Sequence, residues 1–324
     1  MPSEGAWPTH PWVAEGQRRV RFGVVGGPLS DWTGLLGWVR LVEELGFDSF
    51  WIGDHTLLFP IDCWTALAAL ATNTRRVRLG SLVSCVYYRP PALLARIAAD
   101  VDRLSGGRLV LGLGVGDWPD EFRQLGMAYP SLAERQEALT EAIETVLGLW
   151  GDEPFTYDGK HFRVAEARVR PGPLQEPRVP LLIAGGGERV TLRQVAAYAD
   201  VSNFGPSELT GNAWSQNDVR RKLEALRRHC QARARPYESV LRSHFSSGLL
   251  LARTPDALRA KLGALPAESS LYRAARFAGT PDEAIAYFHD LVDAGMRYFL
   301  VSIRDGDPES LRLLAERVVP ALAS

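Results

Sequence analysis

One stretch of the sequence, from Val77 to Asp117, constrains the fold more than any other. It contains two short apolar runs, Val77–Val83 and Leu109–Gly114, with the length and composition of buried strands. Between them, Pro90-Pro91 open a segment with apolar residues at helical spacing, and Ser105-Gly106-Gly107 ends it. This order predicts a βαβ unit, in which the strands are parallel and both following loops open on the same side of the sheet.

The alternation of strands and helices continues along most of the chain. Further strands are predicted at Arg21–Gly26, Ser49–Gly53, Leu181–Ala184, Asp200–Phe204, Leu241–Leu251 and Arg297–Ile303. About eight such units in 324 residues favour a (β/α)8 TIM barrel, an α/β fold that needs about 250 residues. A doubly wound sheet is the alternative, but the first strand is not followed by GxGxxG. We expect one barrel domain, residues 20–324, behind a loose N-terminal tail, residues 1–19.

The rhythm breaks once, between residues 151 and 180. The segment PFTYDGKHFRV alternates around Asp158-Gly159, which predicts a β-hairpin. A connecting run rich in Pro and Arg follows, and the βα rhythm then resumes at Leu181. We therefore expect an insertion between units four and five, not a domain boundary.

Composition limits the classes of function. A formal net charge of −1 gives no general argument for nucleic acid or an anionic membrane as a partner. No apolar run approaches the roughly 20 residues of a membrane span, and the first nineteen residues contain no apolar signal core, so we expect a cytoplasmic protein. The three cysteines cannot all pair as disulfides, because their number is odd. None of them lies in a CxxC or Cys/His spacing, so we expect no zinc site.

Polar residues follow the predicted strands at the rim where TIM barrels carry their active sites. Asp54-His55 follows strand two and Asp117 follows strand four. Histidine transfers protons near neutral pH, and the flanking Asp54 could fix its tautomer. The alternatives are a capping Asp54, a surface His55, and a solvated acidic loop formed by Asp117, Asp120 and Glu121.

A glycine run follows strand five. Gly185-Gly186-Gly187 before a helix can present backbone N–H groups and the helix dipole to an anion. Arg189 in the first turn opposes the usual preference for acidic residues there, which favours a phosphate site. The three glycines could equally form an ordinary tight turn.

Several segments together resemble the bacterial luciferase-like superfamily, and within it the putative coenzyme F420-dependent oxidoreductases. They are FDSFWIGDH, the run from WTALAALATN to LVLGLGVG, LLIAGGGERVTLRQVAAYAD and GTPDEAIAYFHDLVDAGMRYFLVSI, in the expected order over roughly residues 20–320. The resemblance implies a TIM barrel that binds F420 or FMN at its C-terminal mouth.

The resemblance also implies site residues. A non-proline cis peptide behind the cofactor ring should fall at Leu82-Val83, or one residue to either side. The cofactor-binding residues implied are Asp54, Leu82, Val83, Ser84, Gly116, Ala184, Gly185, Gly186 and Gly187. Asp54-His55 matches a pair in F420-dependent sugar-phosphate dehydrogenases, whose histidine works beside the deazaflavin. Those enzymes also carry an acid where this chain has Asp117 and close relatives usually have Trp, so Asp117 is a candidate acid/base residue.

The expected function is therefore hydride transfer between F420 and a small organic substrate, with catalytic roles for His55, Asp117 and Asp54. A monooxygenase using reduced FMN from a separate reductase is the alternative, and a non-catalytic barrel is a third. The acidic polyglutamyl tail of F420 would favour a basic patch, for which Arg89, Arg123 or Arg189 are candidates. We also expect a homodimer, and Gly205–Gln216 and Leu265–Gly279 are candidate lid segments.

Overall fold

The computed structural model describes residues 7–27, 31–264 and 277–322. Its centre is a closed barrel of parallel strands, which confirms the predicted fold and excludes the doubly wound sheet. In chain order the eight strands are β1 (Arg21–Val25), β2 (Ser49–Ile52), β3 (Arg78–Ser81), β4 (Leu109–Gly114), β5 (Leu181–Ala184), β6 (Val201–Phe204), β7 (Leu241–Leu251) and β8 (Tyr298–Ile303). Each strand pairs with the next, and β8 pairs with β1 to close the ring.

Helices surround the barrel. They are α1 (Pro11–Gly16), α2 (Trp32–Glu44), α3 (Cys63–Asn73), α4 (Pro91–Ser105), α5 (Pro119–Gln124), α6 (Leu132–Leu149), α7 (Thr191–Tyr198), α8 (Gln216–Gln231), α9 (Pro255–Ala264), α10 (Pro281–Asp293), α11 (Pro308–Leu313) and α12 (Val319–Leu322). Two short strands lie beside the barrel: Ser84–Cys85 pairs with β4, and Ala278–Gly279 pairs with β7.

The helices begin and end where capping residues allow it. Asp31 caps α2 by accepting a hydrogen bond from the backbone N–H of Gly34, and Thr280 and Glu283 form a capping box at α10. Gly106 ends α4 in the left-handed conformation, with φ of 70°, which a residue with a side chain adopts only at a cost. Such local signals are why the two ends of α4 could be predicted from the sequence.

The apolar core has two layers. The larger layer lies between the strands and the surrounding helices. The smaller fills the barrel itself, where Trp51, Leu182, Leu241 and Tyr298 are buried side by side. A packed interior of this kind leaves room for a ligand only beyond the strand ends.

Residues 7–19, the described part of the segment before β1, do not form the loose tail that we expected. Helix α1 closes the amino-terminal end of the barrel, with Trp12 only 3% and Val13 0% exposed. The Trp12 ring packs edge-on against Tyr298, and its indole N–H donates to Asp48. Six residues are too short for a hydrophobic period to reveal the helix, and its stability depends on these distant contacts.

The insertion contains the predicted hairpin. Phe155–Asp158 pairs antiparallel with Arg163–Ala167. The turn is held against α6 because Glu141 accepts hydrogen bonds from three consecutive backbone N–H groups, those of Lys160, His161 and Phe162. The insertion therefore lies on the outside of the barrel, against α6.

Candidate active site

A cavity of about 240 Å³ opens at the carboxyl ends of the strands. We call it the mouth. Eight of the predicted site residues line it: Asp54, His55, Leu82, Val83, Gly116, Asp117, Ala184 and Gly185. Because these residues come from the ends of β2 to β5, parallel topology alone brings them together.

His55 is held by a carboxylate that is distant in the sequence. Its Nδ1 lies 2.9 Å from Oε2 of Glu121, on α5, and its ring packs edge-on against Phe59 and Trp118. A carboxylate can only accept, so Nδ1 carries the proton and Nε2 of a neutral His55 is left as the basic nitrogen. The interpretation of Glu121 as a solvated residue was wrong, since it is only 2% exposed.

Glu121 is kept ionised by its neighbours. The Tyr88 hydroxyl donates to Oε2 over 2.7 Å, and the backbone N–H of Leu57 donates to Oε1 over 3.0 Å. Burial by itself would raise the pKa of Glu121, but the hydrogen bonds from Tyr88, Leu57 and His55 outweigh it and lower the pKa. Burial and the bond to Glu121 raise the pKa of Tyr88, so the phenol remains a donor.

Asp54 does not hold His55, contrary to our expectation. Its Oδ2 accepts from Arg89 over 2.6 Å, and the same guanidinium donates to Asp62 over 2.7 Å. Burial raises the pKa of Asp54 although Arg89 opposes the shift. The adjacent side chains of Asp54 and His55 thus belong to two separate ion-pair clusters on the same wall of the mouth.

Asp117 lies at the open edge of the mouth. It is exposed, in contrast to the buried Asp54 and Glu121. A carboxylate in this position can exchange protons with both solvent and a bound molecule. The structure therefore brings His55 and Asp117 to one cavity while giving them different access to water.

The loop after β3 is packed directly against β4. The peptide bond between Leu82 and Val83 is cis, at the pair of residues that the resemblance implies. A Cβ on Gly112 would lie 2.0 Å from the Ser81 carbonyl oxygen, and one on Gly114 would lie 2.5 Å from Val83. These glycines therefore make room for the loop, a role that we had not considered.

Three predicted binding residues do not line the mouth. Ser84 lies behind it, 1% exposed, and accepts a hydrogen bond from the Trp64 indole over 3.0 Å. Gly186 and Gly187 line a second cavity, between α6 and α7. The glycine run is nevertheless continuous with the mouth, because Gly185 lines it.

The glycine run differs from a simple loop-to-helix turn. Helix α7 begins at Thr191, so Arg189 precedes the helix and does not lie in its first turn as expected, and the helix N-terminus does not directly follow the glycines. Among the residues that the structure describes, the backbone N–H groups of Gly186 and Gly187 have no hydrogen-bond acceptor. Two free N–H groups can bind an anion without the helix dipole.

The first candidate lid segment, Gly205–Gln216, contacts both the mouth and the glycine run. Leu209 and Thr210 line the mouth, and Gly211 packs so closely on Gly186 that a Cβ at Gly211 would lie 2.7 Å from its nitrogen. Most of the second candidate lid segment, Leu265–Gly279, lies outside the described residues. Phe277 is described, and its carbonyl accepts from Leu250.

The positions of His55 and Asp54 could be predicted from the sequence, but their hydrogen-bond and ion-pair partners were missed. Glu121, Tyr88 and Arg89 determine the environment of His55 and Asp54, yet none was assigned a role there. Their place in the sequence was the one available signal. Glu121 lies seven residues after the end of β4 and Tyr88 seven after the end of β3, so both belong to loops at the carboxyl end of the barrel. Their contacts could not be inferred, because they depend on the path of each loop.

The described residues contain neither a metal cluster nor a membrane-spanning helix. They contain no cluster of three or more His, Cys, Asp or Glu side chains arranged to hold a metal ion. None of the helices in the described ranges is long and apolar enough to cross a membrane.

Comparison with solved structures supports the fold. The coenzyme F420-dependent tetrahydromethanopterin reductase of Methanopyrus kandleri matches with a TM-score of 0.79 and 20% identity, over 94% of this chain and 99% of that one. The oxygenating constituent of 3,6-diketocamphane monooxygenase from Pseudomonas putida, in complex with FMN, matches with a TM-score of 0.71 and 17% identity, over 93% and 98%. At such identities the likeness shows the fold alone.

Sequence comparison identifies the family. The F420-dependent glucose-6-phosphate dehydrogenase of Microbacterium testaceum (strain StLB037) is 28% identical over 317 residues, which cover 89% of this chain and 93% of that protein. The profile of the family described as luciferase-like monooxygenase matches residues 10–298, most of the chain. The chain therefore belongs to the luciferase-like monooxygenase family.

Proposed function

We propose that this chain is an F420-dependent oxidoreductase that transfers hydride between the deazaflavin and a small organic substrate in the mouth. The observation that carries the proposal is the pairing of His55 with the buried Glu121 at the wall of that cavity. Such a pair provides a base of defined tautomer beside an enclosed ligand site. The similarity to the Microbacterium testaceum enzyme over 93% of its length supports the choice of F420.

The residues of the mouth and of the adjoining glycine run fit such a cofactor. Leu82 and Val83 offer an apolar surface to a planar ring, and the free N–H groups of Gly186 and Gly187 suit a phosphate. Ala184 and Gly185 connect the two regions. Asp54, kept in place by Arg89, adds a polar group on the ring side.

When bound, the deazaflavin supplies a carbon that accepts or donates hydride. The protein contributes orientation, exclusion of water and proton transfer. With its Nδ1–H donated to Glu121, His55 can take a proton from a substrate hydroxyl at Nε2, and can return it in the reverse direction. Glu121 then stabilises the imidazolium that forms.

Asp117 is the second candidate for proton transfer. Its exposure at the edge of the mouth suits exchange with solvent rather than direct abstraction from an enclosed substrate. We propose that it supplies or removes the proton that the cofactor ring requires, while His55 serves the substrate.

Reaction with F420 is the test of this function. The protein is mixed with oxidised F420 and sugar phosphates or secondary alcohols, and the loss of deazaflavin absorbance is followed. We expect substrate-dependent loss that falls by at least about a hundredfold in His55→Ala. The exposed His289→Ala variant is the control, and an equal rate in both variants would contradict the role of His55.

A monooxygenase using reduced FMN is the second candidate. It is favoured by the family whose profile matches residues 10–298, which is described as luciferase-like monooxygenase. A separate reductase would then have to supply the reduced cofactor. Substrate-dependent oxygen consumption with reduced FMN, together with no reaction of F420, would establish this function instead.

A further inference from the structure

A second cavity lies outside the barrel, between α6 and α7. It has a volume of about 1030 Å³ and begins at Gly186 and Gly187. We call it the groove. Its charged lining consists of four cations and two carboxylates: Arg189, Arg193, Lys222, Arg233, Glu137 and Glu188. In a chain with a net charge of −1, this is a local excess of positive charge.

The carboxylates of the groove are already neutralised. Glu137 pairs with Lys160 over 2.7 Å, and Glu188 pairs with Arg221 over 3.3 Å. Lys222 is committed as well, since its ammonium donates to the carbonyl of Gly186 over 2.7 Å. The remaining positive charge of the groove is therefore that of its arginines.

The three arginines are unpaired. Arg189, Arg193 and Arg233 are exposed, and among the described residues none of them lies within ion-pair distance of a carboxylate. The other two candidates for a basic patch are not free, since Arg89 holds Asp54 and Asp62 and Arg123 pairs with Asp120. Of the three candidates named from the sequence, only Arg189 thus lines the groove without an ion-pair partner among the described residues.

The groove begins next to the mouth along the chain. Gly185 lines the mouth, and the next two residues, Gly186 and Gly187, line the groove. A molecule whose phosphate binds the free N–H groups of Gly186 and Gly187 would therefore direct any group beyond the phosphate into the groove. A chain of carboxylates there would meet guanidinium groups, which bind carboxylates in pairs of hydrogen bonds.

We propose that the groove binds the acidic glutamyl tail of F420 through Arg189, Arg193 and Arg233. This inference rests on the proposed use of F420 and adds a site for the part of the cofactor beyond its phosphate. FMN ends at its phosphate, so these arginines would favour F420 over FMN without contacting the ring. The pairs are exposed, so the preference should weaken as salt increases.

The test compares F420 carrying several glutamates with the same cofactor lacking its glutamyl tail. Dissociation constants are measured by fluorescence quenching for the native protein and for the triple variant Arg189→Ser/Arg193→Ser/Arg233→Ser. We expect the native protein to bind the tailed form about tenfold more tightly, the product of three exposed pairs of about two- to threefold each. The triple variant should bind both forms with the affinity of the tailless one.

A matched control removes the same charge elsewhere. Arg40→Ser/Arg312→Ser/Arg317→Ser changes three exposed arginines on other helices and should retain the tenfold preference. Equal binding of both forms by the native protein, or loss of the preference in the control, would overturn the groove proposal and leave F420 use intact. Binding of neither form would overturn the proposed function together with the groove.

Discussion

At the residue scale, neighbours in sequence proved to have different partners. Asp54 and His55 are adjacent, yet one turns to Arg89 and the other to Glu121. Successive side chains leaving a strand point in opposite directions, so adjacency is weak evidence for a contact. The sequence could place His55 at the rim, but its carboxylate partner comes from a helix sixty-six residues away.

Replacing Glu121 by Gln should allow His55 to adopt both of its neutral tautomers. The native protein should show His55 protonated at Nδ1, because ionised Glu121 can only accept a hydrogen bond. In Glu121→Gln we expect a mixture of tautomers in ¹⁵N NMR, and a fall in turnover of about tenfold or more. Asp120→Asn, at a residue with a 70% exposed side chain, is the control. Unchanged tautomer signals in Glu121→Gln would disprove the role of Glu121.

Gly114 should be intolerant of even one added carbon. In Gly114→Ala the new Cβ meets Val83 at 2.5 Å, so the loop after β3 must shift. We expect a loss of about 1–3 kcal/mol in the free energy of unfolding, together with weaker cofactor binding. Gly37→Ala, in α2 where a Cβ meets nothing within 4 Å, should instead be neutral or stabilising. Equal effects of both changes on cofactor affinity would refute this account of the loop.

At the scale of elements, the predictions held where a local signal exists. Helix α4 begins after Pro90 and ends at Ser105 as predicted, and strands β4, β5 and β7 have the predicted bounds. Helix α1 was missed because it is stabilised by burial against Tyr298, which leaves no periodic signal in the sequence. The start of α7 at Thr191 was missed because the turn between Gly187 and the helix leaves no such signal either.

Helix α1 should contribute strongly to stability. Trp12→Ala removes a side chain that is 3% exposed and packs against Tyr298, so we expect a loss of about 3–5 kcal/mol. Denaturant unfolding followed by circular dichroism measures this change. Trp214→Ala, at a tryptophan that is 49% exposed, should change stability by about 0.5 kcal/mol or less. Comparable losses in the two variants would mean that α1 is not part of the core.

Two buried histidines should make the fold sensitive to acid. Burial, then Arg78 and Arg178, lower the pKa of His10 to about 4, and burial lowers the pKa of His244 to about 3. An unfolded histidine binds its proton near pH 6.5, so below that pH the unfolded state binds more protons and stability falls. Each histidine should account for about 2 kcal/mol of loss between about pH 7.5 and about pH 5.

The variant His10→Asn separates this contribution. Asparagine can still cap α1, so the fold should survive while the loss of stability on acidification shrinks by about 2 kcal/mol. His289→Asn, at a histidine whose side chain is 62% exposed, should follow the native curve. A native-like pH dependence in His10→Asn would show that His10 is not held neutral by the fold.

At the scale of the whole molecule, the barrel topology was enough to predict which residues meet at the mouth. Because the carboxyl ends of parallel strands share one rim, the barrel alone brought His55, Leu82, Asp117 and Gly185 to one cavity. The second cavity, between α6 and α7, could not be foreseen, since it depends on which exposed side chains remain unpaired. The homodimer, the reductase partner and the cytoplasmic location stay predictions.

Use of F420 by this protein is tested most directly by its affinities for the two rival cofactors. Isothermal titration of the native protein with oxidised F420 and with FMN, under the same buffer and salt, compares them. We expect micromolar binding of F420, much weaker binding of FMN, and loss of F420 binding when Gly186 is replaced by a bulky residue. Micromolar binding of FMN with no binding of F420 would contradict the account.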